Sequence, residues 1–271
     1  MAPIREHYDS WKDFVDAAES TNPDSYLNLS RAVDHGGNNW SGAASWDEAI
    51  TLARHGWDEQ RDRVAFISRN IRQEIAPRMQ TNYVSSYNVA GGTVSVGRML
   101  SGNPRCMMRM DPIRTAKPGR VITILVNVGA LGFVSPETII TRGTAICSLV
   151  ECLTMMHHGT EIVVESTVSQ MSGKMEMMTV TVRVKRANES LDMGRLMFAL
   201  ANPSTLRRLV FSRREQVGFV ASGGYGATEH SQTVDEFHPA VHCDYMGSGK
   251  NTVEDAERWV RETLTGFGLL T

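Results

Sequence analysis

The stretch Val121 to Val128, "VITILVNV", constrains the fold more than any other part of the chain. A short, near-continuous apolar run rich in β-branched residues belongs to a central strand buried on both faces. After a brief loop, Ser135 is placed to cap a helix, Pro136 suits its first position and Glu137 favours the positive end of its dipole. Ile139, Gly143, Ile146, Leu149 or Val150, Leu153 and Met156 then mark one buried face, and Gly159 can terminate the helix. A buried strand feeding a capped helix is the unit of an α/β sheet. The loop between them lies at the edge where such sheets hold ligands.

The elements after that unit extend the pattern. "TEIVVESTVS" is a second strand, and "KMEMMTVTVRVKR" a third, with Met175, Met177, Thr179 and Thr181 alternating against Glu176, Met178, Val180, Val182 and Val184, as expected of a half-buried or edge strand. Ser172-Gly173-Lys174 is too short for a helical crossover and makes the pair an antiparallel hairpin. Helices are expected at "SLDMGRLMFALA" and "STLRRLVFSRREQ", a late strand at "PAVHCDYM", and a closing helix at "TVEDAERWVRETLTG" with a Thr252/Asp255 capping box.

The chain before residue 119 has another character. "YDSWKDFVDAAES" reads as a helix capped by Asp9 or Ser10, and "SWDEAITLARHG" as one with a Ser45/Glu48 capping box that Gly56 ends. In "WDEQRDRVAFISRNIRQEIAP", Val64, Ile67, Ile71 and Ile75 recur at helical spacing until Pro77, opposite Arg61, Arg63, Arg69 and Arg72. From Gln80 to Pro118, glycines and prolines punctuate a weak alternation, which predicts short strands and loops. Spacing leaves open whether the N-terminal helices cover a sheet face or form a small lobe.

Composition narrows the function classes. With 28 basic and 30 acidic residues, no global field draws the chain toward nucleic acid or an anionic membrane, although a local basic patch fits the numbers. Cys106, Cys147, Cys152 and Cys243 show no zinc-type or disulfide-framework spacing, which suits a reducing compartment. "MAPIREHYDSWKDF" carries charges where a signal peptide needs an apolar core, and no run approaches the roughly 18 apolar residues of a membrane span. The expectation is a soluble cytoplasmic protein with no membrane partner.

The order of strand, long helix, strand, tight hairpin, strand, helices, late strand and closing helix resembles the von Willebrand factor A fold over residues 119 to 270. The resemblance implies a three-layer α/β domain over 119–271, with a mostly parallel sheet and an antiparallel edge hairpin, preceded by a helical and irregular region over 1–118. In that family the first strand ends in Asp-x-Ser-x-Ser, whose oxygens hold a divalent cation. The corresponding register here is Asn127, Val128, Gly129, Ala130, Leu131, so the charged ligand and both hydroxyls are missing. The whole chain also resembles an uncharacterised family of tailed-phage and mobile-element proteins through "SWDEAITLARHGW", Gly102-Asn103-Pro104 and "TRGTAICSLVECL". That resemblance implies the host cytoplasm and no assigned activity.

These readings favour a non-enzymatic interaction module with no cofactor, no metal and no catalytic residue, which meets a protein partner at the carboxyl edge of the sheet. Its expected binding residues are Asn127, Gly129, Leu131 and Ser135, with Ser222 and Tyr225 from the glycine-rich "SGGYGA" loop. Asn127 also has the blander role of a local backbone partner. Nucleic acid is the alternative partner, through the arginine face of residues 58–75 and Arg207, Arg208, Arg213 and Arg214, with Trp11, Trp40, Trp46 and Trp57 as stacking surfaces or core anchors. A third reading is a metal- or phosphate-dependent enzyme using His238, His242, Cys243 and Lys250. His230 widens that cluster but lacks paired zinc spacing, and "GSGKNT" departs from a Walker loop. Oligomeric state is not legible in these residues.

Overall fold

The computed structural model describes residues 3–20, 29–32, 40–72, 79–116, 119–172, 174–220, 224–246 and 253–270. In chain order they form β1 (Ile4–Tyr8), α1 (Trp11–Glu19), α2 (Trp46–His55), α3 (Arg61–Arg72), β2 (Met79–Asn88), β3 (Thr93–Val94), α4 (Val96–Leu100), β4 (Met107–Ala116), β5 (Val121–Asn127), α5 (Pro136–Met155), β6 (Gly159–Ser172), β7 (Lys174–Lys185), α6 (Met193–Ala201), α7 (Phe211–Gln216), β8 (Ala227–Thr228), α8 (Val234–Phe237), β9 (Val241–Cys243) and α9 (Val253–Gly266). A π-helical segment, Thr205–Val210, leads into α7. Two compact units emerge: residues 1–75 with 120–271, and residues 76–119.

Local signals set the helix ends. Ser10 Oγ accepts from Asp13 N at 3.1 Å, Ser45 Oγ from Glu48 N at 3.1 Å and Ser135 Oγ from Thr138 N at 3.2 Å, so each satisfies a free amide of the first turn. The Glu48 carboxylate accepts from Ala44 N at 2.6 Å, one residue earlier than a capping box requires. The Thr252 cap and Ile75 lie outside the described residues.

The large unit is a mixed α/β fold around a mostly parallel sheet ordered β1-β7-β6-β5-β9, with β8 also paired to β6. β5 runs parallel to β6 and β9, and β1 parallel to β7, while β6 and β7 form the antiparallel hairpin, Ser172 opposite Lys174. β1 lies outside β7, so Thr179 and Thr181, which alternation leaves half-exposed, are buried.

One sheet face packs Ile122, Ile124 and Val126 of β5, Val164 of β6 and Val180 and Val182 of β7 into a single apolar core. The helices α1, α2, α3, α5, α6 and α9 contribute to that same core, with Trp11, Ile50, Ile67, Leu149, Phe198 and Val260 all buried in it. The N-terminal helices therefore cover the sheet rather than form their own lobe. α5 is apolar enough for a membrane span by length and composition, but it is the central helix of this layer and most of it is buried. A Cβ on Gly143 would overlap the backbone of Ala201, so glycine lets α5 and α6 approach this closely. The opposite sheet face is more polar. The segment 227–240 crosses it, with Phe237 of α8 stacked on His7 of β1 at 6.2 Å between ring centroids. Helices, sheet and this segment make the three layers.

The small unit is a three-stranded antiparallel sheet ordered β2-β4-β3. Its two long strands pair in unbroken register from Met79–Ala116 to Asn88–Met107, where sequence punctuation predicts short strands. Pro112 falls beyond the two residues that β3 pairs, so its missing N–H leaves no gap on that side of the ladder.

Candidate functional site

Asn127, Gly129, Leu131 and Ser135 all lie in the β5–α5 connection at the carboxyl edge of the sheet. Asn127 is fully buried. Its Oδ1 accepts from Gly129 N at 2.9 Å, closing a turn, and its Nδ2 donates to Glu229 O at 3.1 Å and Asp244 Oδ1 at 3.5 Å. One carboxamide thus ties together three loops: the β5–α5 connection, the segment after β8 and the segment after β9. Gly129 has no room for a side chain, since a Cβ would sit 2.6 Å from Thr228 Cγ2 and 2.8 Å from Asn127 Oδ1. Its carbonyl accepts from Met246 N at 2.8 Å, and Leu131 N donates back to Met246 O at 3.2 Å. Leu131 packs with Val134, Ile139 and Met246 in a small apolar cluster. Ser135 is the exposed cap of α5.

Tyr225 lies in a separate cluster. Its ring stacks on Phe211, centroids 3.7 Å apart, and its hydroxyl donates to Glu215. Burial and the Glu215 carboxylate together push its phenol pKa up. Trp40 and Arg207 join this cluster to the β5–α5 connection: Trp40 Nε1 donates to Gly132 O at 3.3 Å, and Arg207 donates to Trp40 O and Val134 O, each at 2.6 Å. Ser222 lies outside the described residues, as does "GSGKNT".

Asp244 is the anchor that sequence reasoning missed. Its Oδ1 accepts from Ser231 N at 3.1 Å and Tyr245 N at 2.9 Å, and its Oδ2 pairs with His230 Nδ1. Burial alone would raise its pKa; the bonds from His230 and the two amides outweigh that and hold the carboxyl below its usual range. His230 is raised in turn by its bond to Asp244 and by that negative charge. Arg142, from the second turn of α5, donates to Asn127 O at 3.2 Å and to Asp244 O. Its guanidinium lies beside the Cys243 thiol, which burial pushes up and the arginine pulls back.

Glu165 is the second missed anchor. It faces Asn127 in register and is fully buried. Its carboxylate accepts from Thr167 Oγ1, Gln232 N and Thr233 Oγ1, each at 2.6 Å, so it holds down the segment before α8. A glutamate inside the apolar "IVVESTV" run was the available signal, because burying such a group requires partners.

Beside this network a cavity of about 450 Å³ opens between α5, β9 and α9, lined by Thr138, Arg142, His242, Cys243, Asp255 and Trp259. His242 and Cys243 are neighbours on one strand and so point to opposite faces. Among the described residues, no three His, Cys, Asp or Glu side chains converge as a metal ligand set. Phe133, in the β5–α5 loop, is 71% exposed.

Of the arginines read as a phosphate face, Arg61, Arg69 and Arg72 of α3 are exposed, whereas Arg63 and the four of the later helix make contacts inside the unit. Arg208 is 1% exposed and donates to Ser30 O, Ala32 O, Ser41 Oγ and Ala43 O, at 3.1 to 3.3 Å. Arg214 donates to Ser166 Oγ at 2.8 Å and Tyr225 O at 3.2 Å, and burial lowers its pKa to about 9. Arg213 pairs with Glu6 at 2.6 Å, and Arg63 with Glu137 at 2.8 Å.

Residues 2–271 match the model of the family described as Domain of unknown function (DUF7192), and the chain belongs to that family. No curated protein matches it, and no solved structure does.

Proposed function

We propose that this chain is a non-enzymatic protein-interaction module of a phage or mobile element, acting in the cytoplasm, whose von Willebrand factor A-like sheet edge carries no functional metal-ion-dependent adhesion site. The observation that supports it is the saturation of Asp244 by nitrogen donors. Asn127 Nδ2, Ser231 N, Tyr245 N and His230 Nδ1 take up the carboxylate that a hard cation would need, and asparagine stands where that family places its charged ligand. These hydrogen bonds organise the edge, and the exposed Phe133 beside it supplies an apolar anchor of the kind found at protein interfaces.

Calorimetric titration with MgCl₂ and MnCl₂ tests the first part: no binding heat is expected up to millimolar cation, and micromolar affinity overturns the reading. Phe133→Asp tests the second. Because the side chain is exposed, the fold is retained while recovery of the partner falls about tenfold or more. Unchanged recovery by a folded variant counts decisively against this edge as the interface.

A further inference from the structure

The sheet-edge interface leaves unused the cavity of about 450 Å³ between α5, β9 and α9. β5 and β9 lie side by side and run parallel, and the cavity opens beyond the carboxyl end of β9, the place where open α/β sheets hold ligands. Thr138 belongs to the first turn of α5, and Asp255 and Ala256 to the first turn of α9, so the positive ends of two helix dipoles border it. Its volume falls within the roughly 300 to 1,000 Å³ of small-molecule sites. The described wall residues all belong to the large unit.

Charge and apolar surface define what fits. Arg142 is the one lysine or arginine among the described wall residues. Its Nη1 donates to Asn127 O at 3.2 Å and its Nη2 to Asp244 O, so main-chain oxygens and the Cys243 thiol surround it, and among the described residues no carboxylate pairs with it. The two acids on the wall are engaged elsewhere: Asp244 with His230 Nδ1 and the amides of Ser231 and Tyr245, Asp255 with Arg258 of its own helix. Arg142 therefore carries a charge that no ion-pair partner neutralises. A single guanidinium with two nitrogens already spent on carbonyls matches one negative charge, whereas a phosphate draws on several donors at once. Ala145, Ile146, Met246, Ala256 and Trp259 make the rest of the wall largely apolar, and Trp259 Nε1 and Tyr245 Oη have no hydrogen-bond partner among the described residues. Trp259 offers a flat ring a face or an edge to pack on.

We propose that this cavity binds a small aromatic monocarboxylate, its anion on the Arg142 guanidinium and its ring against Met246 and Trp259. The anion supplies the charge that Arg142 lacks opposite it, and the ring covers the apolar wall. The site is independent of the sheet-edge interface: Phe133 is not among its wall residues, and Phe133→Asp should bind the same probes as wild type.

Heteronuclear NMR titration of the full chain with sodium benzoate, its neutral isostere benzamide and inorganic phosphate, at constant ionic strength, tests it. Benzoate is expected to shift the Trp259 indole N–H and the amides of residues 242–246 with a Kd of about 1 mM or below, as befits a fragment of that size. Benzamide should bind at least about tenfold more weakly, and phosphate should leave those resonances unmoved. No shift up to about 10 mM benzoate overturns the proposal. So does benzamide that binds as well as benzoate, or phosphate that moves the same resonances with equal affinity. Arg142→Gln should abolish the preference for benzoate over benzamide. Because Arg142 also holds the sheet edge, Trp259→Ala provides a second variant that keeps the cation and its bonds, and it should weaken benzoate at least about fivefold. Unchanged benzoate affinity in either folded variant overturns the assignment.

Discussion

The two sheets of this protein are built by the same backbone pairing and end in opposite states. In the six-stranded sheet both faces are covered, so that even polar groups such as Glu165 and Thr167 are almost wholly removed from solvent and hydrogen-bonded. In the three-stranded sheet β2 and β4 pair without interruption, yet no described side chain is buried. A hydrogen-bond ladder makes a sheet, but cover on its faces is what makes it stable. Sites of tight packing and buried polarity belong to the first sheet, and unmet apolar surface to the second.

Substitutions sharpen or break that contrast. Gly143→Val should lose about 3 kcal/mol or more, because its side chain has to displace the Ala201 backbone, whereas Gly97→Ala in α4, with open space around it, should change stability by no more than about 0.5 kcal/mol. Urea unfolding followed by tryptophan fluorescence measures the first, and amide hydrogen exchange over the amides of residues 93–100 the second. Equal losses would erase the distinction. Arg208→Met should cost about 2 to 3 kcal/mol by removing the donor to the carbonyls of Ser30, Ala32 and Ala43, against near zero for the exposed Arg109→Met. Glu165→Gln keeps the volume but replaces an acceptor-only group that takes bonds from Thr167 and from the 232–233 amides; a loss of about 2 kcal/mol is expected, with faster amide exchange confined to 228–234.

The smallest effect is the pH dependence of His230–Asp244. His230 is raised, so its contribution is complete below about 6.5 and disappears as pH climbs through its folded value. Asp244 is lowered, so its contribution is complete above about 3.8 and disappears as pH falls through its folded value. The difference in Tm between wild type and His230→Gln should therefore be largest between those two pH values and shrink on either side. A flat difference would remove the pair from the network.

What could be read from the sequence was local. The caps at Ser10, Ser45 and Ser135 and the Ser172–Lys174 hairpin depend on residues within a few positions, and each is visible without tertiary information. β1 was not visible, because "IREHY" lacks a strand-like apolar run and is held by β7, more than 170 residues away. Arg207, Arg208 and Arg214 read as surface because charge ordinarily marks surface. Their carbonyl acceptors lie far off in the chain at Ser30, Ala43 and Val134 and nearby at Tyr225, and acceptors that every residue possesses leave no trace in a sequence. At the sheet edge Asn127 was legible as a strand end, but its tie to Asp244 joins positions that only folding brings together.

That anonymity of the acceptors has an evolutionary and practical corollary. Since Arg207 and Arg208 grip the main-chain oxygens of Ser30, Ala32, Trp40 and Ala43, with Ser41 Oγ as a side-chain acceptor beside them, positions such as 32 and 43 can change their side chains without loosening the clamp. Only a change in the course of the backbone there would release it. Diversity can accumulate, or be engineered, at those positions while the two guanidinium groups stay fixed.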